Sequence, residues 1–249
     1  MLRYNRFILK LLHRVTSGVP FPVLEPILLL CLARRRWKPA LAVAVGMVMV
    51  LWYPAYFISP AVQYEVPDDV EALCGHLVDE LNRAMLEFDD PFDTAGDAAG
   101  LAWARVKPVR WPEWMHALGI AGLFSPWTGE ALADGSAPPG YLPFTCVHEL
   151  MHLKGIADEG EANIEAYRAC MDFGGMYADS ARLWALRYGL GRLDEDARRR
   201  VIGRAAERLR PFLLISEPRR PPIIAQCLGI GRQTGDYDAL LGYLAANTD

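Results

Sequence analysis

No residue from Pro39 through Tyr64 carries a charge, and Ala40–Ile58 reads ALAVAVGMVMVLWYPAYFI. Nineteen apolar residues with Trp52 and Tyr53 toward one end match the hydrocarbon thickness of a bilayer. A buried helix of a soluble domain rarely runs that far without one polar side chain. The run therefore predicts a transmembrane helix at 40–58. It divides the chain into a membrane anchor, residues 1–61, and a body, residues 62–249. An earlier stretch, Val19–Ala33, is shorter and is interrupted by three prolines and Glu25. It reads either as a first span or as a re-entrant or interfacial segment. No small-x-small cleavage site follows it, so it does not read as a cleaved signal peptide.

Charge supports the same division. Eight of the 26 Lys and Arg lie in residues 1–60 beside the single acid Glu25, leaving 18 basic and 29 acidic residues for the remainder. A body near −11 argues against nucleic acid, because phosphate binding needs a basic face. Arg34-Arg35-Arg36-Trp37-Lys38 precedes the apolar run, and no Lys or Arg follows it until Arg83. The positive-inside rule then places that cluster in the cytoplasm and the body on the outer side of the cytoplasmic membrane. The partner this implies is the lipid bilayer. In an oxidising compartment Cys74, Cys146, Cys170 and Cys227 could form two disulfides; buried thiols are the alternative.

The body reads as α+β and predominantly helical. Helical periodicity runs over Asp68–Phe88, Thr145–Lys154, Glu159–Phe173, Ala178–Tyr188, Asp194–Leu209 and Tyr237–Ala246. Residues 100–147 are rich in Pro, Gly and Trp, and apolar runs such as Gly119–Phe124 and Tyr141–Phe144 predict short strands. The Gly119–Thr128 segment reads either as an edge strand along which a peptide could add or as an ordinary core strand.

Within this body lies His148-Glu149-Leu150-Met151-His152. Positions i and i+4 share one helix face, so two imidazoles could take adjacent corners of a Zn²⁺ site. Glu149 is then placed to act as general base toward water, and a peptide or protein substrate is the further expectation from this HExxH motif. The alternative is a solvated helix face that happens to carry two histidines. A catalytic zinc usually has a third protein ligand. His76 and His116 lie in no matching motif and read as ordinary residues, which leaves the acids just downstream. Three geometries compete: Asp158, at the end of an HExxHxxGxxD spacing; Glu159, with Asn163 one turn on as an orienting neighbour; and Glu161. Glu159 is the favoured choice. Tyr177 and Tyr237 are candidates for the extra donor to an oxyanion, against the alternative that each is simply packed.

Phe144-Thr145 before the motif, the segment from His152 through Gly155, Ala157, Glu159, Glu161, Ala162 and Asn163, and Tyr167 with Cys170 resemble a family of uncharacterised bacterial membrane proteins. Its pattern is close to PFTxxHExxHxxGxAxExEANxxAYxAC. Gly129-Glu130, Tyr177, Gly235-Asp236-Tyr237 and the N-terminal apolar segments extend the resemblance over nearly the whole chain. Such proteins are regarded as zincin-like metallopeptidases, and their second helix is similar to the ExxAD element of membrane gluzincins. Asn163 stands here where that element has Asp. The resemblance implies a zinc hydrolase with a small sheet behind its active-site helix and implies no substrate. A non-proteolytic envelope scaffold or sensor, or a cell-wall amide hydrolase, are the other expectations.

Overall fold

The computed structural model of the chain describes residues 2–23, 25–26, 64–118, 120–213 and 233–247. The expected span at 40–58, Cys31 and Cys227 lie outside the described residues. Among those described, no helix is long and apolar enough to cross a membrane. The described residues are mostly helical with one small sheet. In chain order the elements are α1 (Leu2–Ser17), α2 (Val70–Arg83), α3 (Ala95–Ala98), β1 (Val106–Pro108), α4 (Glu113–Leu118), β2 (Gly122–Ser125) and β3 (Glu130–Ala133). There follow α5 (Leu142–Leu153), α6 (Glu159–Phe173), α7 (Gly175–Arg192), α8 (Glu195–Gly203), α9 (Arg210–Leu213) and α10 (Gln233–Asn247).

Local chemistry sets most of these ends. Asp69, Asp158 and Asp194 cap α2, α6 and α8, each carboxylate accepting from a backbone N–H three residues on; such a cap contributes about 1 kcal/mol. Leu73, Cys74, Leu77, Val78 and Leu81 form one apolar stripe along α2. By contrast α5 is apolar nearly all round and is buried along almost its whole length, as a central helix must be. The run Tyr141–Phe144, expected as a strand, instead opens α5: Pro143 lies in its first turn, where its missing N–H costs nothing.

In the sheet, of order β1-β3-β2, β3 pairs parallel with β1 (Lys107 opposite Leu132) and antiparallel with β2 (Leu123 opposite Leu132). Its alternation divides two cores. Ala131 and Ala133 face the main core with Phe124, Val106 and the residues of α5, while Leu132 joins Met115 and Val109 on the other face. Small alanines let α5 lie close against the strand. Asp134 N–H donates to Ala121 C=O at 2.9 Å, which fixes the ladder phase. The backbone groups of Gly122 and Phe124 therefore point away from β3, along the outer edge of β2.

The described part of the expected anchor packs with the body rather than apart from it. Leu9 joins the main core, and His13 and Thr16 are buried. Glu130 accepts from Val23 N–H at 2.8 Å, and the buried Glu25 accepts from Arg110 N–H at 3.0 Å. Residues up to Pro26 thus belong to the domain, so the first half of the 19–33 stretch is held in place by backbone hydrogen bonds to buried acids.

Candidate metal centre

The site arises where α5 ends and α6 begins. After His152 the chain turns through Gly155 (φ 93°) and re-enters a helix at Glu159. This tight return brings Glu159 back over the last turn of α5. His148 Nε2 lies 3.1 Å from His152 Nε2 and 3.1 Å from one Glu159 oxygen, and His152 Nε2 lies 3.4 Å from the other. Ligands bonded at about 2.0–2.2 Å to a tetrahedral cation stand roughly 3.3 Å apart, close to each of these pairwise contacts. The three residues form a possible metal-binding group whose atoms all lie within 4.8 Å of one another.

Tautomers follow from the surroundings. His152 Nδ1–H donates to Ile156 C=O at 2.7 Å, which leaves the Nε2 lone pair of the neutral ring aimed at His148 and Glu159. The Phe124 ring stacks on His152 at 6.4 Å between centroids. Burial alone would push His152 down, but Glu159 and then Glu149 outweigh it and hold the imidazole at about 9. Glu159 is held well below the usual carboxylate range: burial opposes ionisation, yet His152 and His148 override it. Two imidazoles and a carboxylate thus demand a positive charge among them, which a proton or a divalent cation can supply. The donor set of two nitrogens and one oxygen suits Zn²⁺.

Glu149 sits beside this triad, buried at 5 % exposure. Burial lifts its carboxyl to about 7 against the pull of His148 and His152, and the Phe124 backbone N–H reaches it. That donor belongs to the outer edge of β2. At Gly122, on the same edge, a Cβ would lie 2.4 Å from Glu149 Oε1. The edge strand and the carboxylate therefore touch, and glycine is what lets them.

The other downstream acids are placed elsewhere. Asp158 is the N-cap of α6, Glu165 pairs with Arg168, and Glu161 is outside the triad. Asn163 is buried, but no hydrogen bond joins it to Glu159; its Nδ2 and His148 Nδ1 are both buried without partners. Tyr177, expected as an oxyanion donor, is 1 % exposed, and its hydroxyl pairs with Thr94 Oγ1 at 2.8 Å and donates to Pro91 C=O at 3.2 Å. Burial raises that phenol, and none of its recorded partners belongs to the triad, so it holds the α3 region instead. The Tyr237 side chain lies outside the described residues. His116 pairs with Asp134, and His76 with Glu80 at 3.9 Å. Cys74, Cys146 and Cys170 are buried free thiols; burial pushes Cys74 up to about 12 and Cys146 and Cys170 up as well. Two surface clefts of about 400 and 680 Å³ include none of His148, His152 or Glu159.

Sequence reasoning missed Gly122 and Phe124. A glycine opening a short apolar run was the available signal, since such a residue marks close approach.

Fold and site together define a mostly helical α+β domain in which His148, His152 and Glu159 form a cluster that could hold a metal ion, beside the buried carboxylate of Glu149. The chain belongs to the family described as "Protein of unknown function (DUF3810)", whose profile matches residues 61–209. That span contains the whole triad and Glu149, and excludes α1 and the N-terminal apolar stretches. No curated protein and no solved structure matches the chain.

Proposed function

We propose that this protein is a membrane-anchored, zinc-dependent metallopeptidase of zincin-like, gluzincin-like type, its anchor supplied by the apolar run at 40–58. What supports the reading is one convergence: His148 Nε2, His152 Nε2 and Glu159 share a common point while Glu149 lies buried beside them. A structural cation site has no use for that last carboxylate. Zn²⁺ held there would act as a Lewis acid on a scissile carbonyl and make water more acidic.

The chain's own groups would do the rest. His152 keeps its lone pair directed at the cation through the Ile156 carbonyl. Glu159 would supply the third ligand and offset part of the ion's charge. Glu149 takes the proton from the attacking water and delivers it to the leaving amine. The outer edge of β2 gives an extended peptide a backbone partner beside that carboxylate.

The test is Glu149→Gln in the full-length protein, assayed against a peptide pool with metal content measured in parallel. Hydrolysis should fall by about a hundred- to ten-thousandfold while zinc stays stoichiometric. Full activity in the variant, or none in the wild type on peptides, would favour a scaffold or sensor. Activity confined to peptidoglycan would redirect the proposal to a cell-wall amide.

A further inference from the structure

α1 has two different faces. Leu9, His13 and Thr16 are buried against the domain, whereas Phe7, Leu11 and Val15, at i, i+4 and i+8, are 65 %, 52 % and 68 % exposed. The inner face is fixed to a specific place. His13 Nδ1–H donates to Gly129 C=O at 2.8 Å, Arg105 N–H donates to His13 Nε2 at 3.1 Å, and Lys107 Nζ donates to Thr16 C=O at 2.7 Å. Gly129 is in the left-handed region (φ 68°), and a Cβ there would lie 2.7 Å from the His13 backbone nitrogen. Gly129-Glu130, a sequence feature outside the metal centre, is thus the seat of α1.

The outer face is an aligned apolar stripe on a helix whose sequence has no acidic residue, with Lys10 and Arg14 each one position before a stripe residue. Lys10 lies over the Trp103 ring at 5.0 Å, beside the stripe, and Arg14 is exposed next to it. An apolar stripe edged with cations is the composition that suits the headgroup region of an anionic bilayer. The sequence also offers a membrane segment: the uncharged run from Pro39 to Tyr64 begins thirteen residues after Pro26.

We propose that α1 is an interfacial helix that seats the metal-site domain on the surface of an anionic lipid bilayer. Its inner face grips Gly129, and its Phe7-Leu11-Val15 face lies among the lipids. The inference assumes the membrane anchor and is independent of any hydrolytic activity.

The test uses full-length protein with Leu11→Cys, Cys31 and Cys227 changed to Ser, and the buried Cys74, Cys146 and Cys170 left unreactive. An environment-sensitive fluorophore is attached, and the protein is reconstituted into vesicles of phosphatidylcholine and phosphatidylglycerol. The same label at Asp196→Cys, a position 83 % exposed on α8, is the reference. Emission from position 11 should shift to the blue and be quenched by nitroxide-bearing lipid severalfold more than emission from position 196. Replacing phosphatidylglycerol by phosphatidylcholine should weaken that quenching. Val15→Cys gives an independent reading should Leu11→Cys misfold. Flotation with the vesicles but quenching at position 11 equal to that at 196 would overturn the proposal and leave the anchor intact. Failure to float would overturn both. Cross-linking of position 11 between copies would assign the stripe to a second copy of the chain and equally overturn it.

Discussion

His13 and His152 begin alike and end as opposites. Both rings are buried, and both donate Nδ1–H to a backbone carbonyl, Gly129 at 2.8 Å and Ile156 at 2.7 Å. At His13 the second nitrogen accepts from Arg105 N–H, so both nitrogens are used and the neutral ring is complete. At His152 the second nitrogen meets another imidazole nitrogen and a carboxylate. Burial holds His13 below the ordinary imidazole value, with Lys107 adding to the effect and Gly129 and Glu130 opposing it. Carboxylates carry His152 the other way, to about 9. A buried histidine whose free nitrogen finds a donor is a packing residue. One whose second nitrogen faces another imidazole and a carboxylate has the surroundings of a possible metal ligand.

The sharpest way to break this comparison is to truncate each ring. His152→Ala removes a proposed ligand, and metal affinity should drop by more than the roughly 10–100-fold that losing an outer partner costs. His13→Ala should retain stoichiometric metal and lose only stability, about 1–3 kcal/mol for the donors and acceptors left unpaired. Isothermal titration with Zn²⁺ and thermal melts separate the two outcomes. Equal metal loss in both would mean that the His13 region is part of the site.

A smaller effect is expected at the edge strand. Gly122→Ala places a methyl against Glu149, so the carboxylate must move while both imidazoles stay. Turnover should fall roughly ten- to hundredfold, as an ångström-scale misplacement can, with zinc content unchanged. Unaltered turnover would place the proton transfer on some other group.

The grouping of His148, His152 and Glu159 was more legible in the sequence than the fold around it. His148, Glu149 and His152 are legible because one helical turn fixes their relation without any tertiary information, and α6 was legible from Glu159 through Phe173 by its period, whereas Asp158 is its N-cap. Choosing Glu159 over Glu161 or Asp158 needed the turn at Gly155, which decides how α6 folds back. Tyr177 failed as a site residue because its partners, Thr94 and Pro91, are more than eighty residues away in sequence. The docking of α1 was illegible for the same reason: its inner face answers to Gly129, Arg105 and Lys107, none of which is visible from residues 2–17. Charge and hydropathy marked those residues as anchor, and their buried hydrogen bonds make them part of the domain.

Titration separates the two histidines by sign. For metal-free protein, His152 is raised, so its contribution to stability is complete below pH 6.5 and is lost as pH rises through about 9. His13 is lowered, so its contribution is present above pH 6.5 and is lost as pH falls below that value. Each proton changes stability by at most about 1.4 kcal/mol per pH unit. Chemical denaturation of the metal-free protein should therefore show stability declining from pH 6.5 to 9, and saturating Zn²⁺ should abolish that decline because the cation replaces the proton. An alkaline decline that persists with zinc bound would remove His152 from the ligand set.

The smallest effect tests the seat of α1 alone. Gly129→Ala keeps every group of the metal centre but adds a Cβ at a left-handed position against the His13 backbone. The strain should cost about 1–3 kcal/mol, which for a domain of this size lowers the melting temperature by several degrees. α1 should loosen first, because its hydrogen bonds to Gly129 and Arg105 depend on that approach, and trypsin should then cut at Lys10 and Arg14 faster than in wild type. Zinc affinity should not change. If α1 stays as protected as before while zinc binding weakens, the two poles of the domain are mechanically coupled, and the division between a closed histidine and an open one no longer describes independent regions.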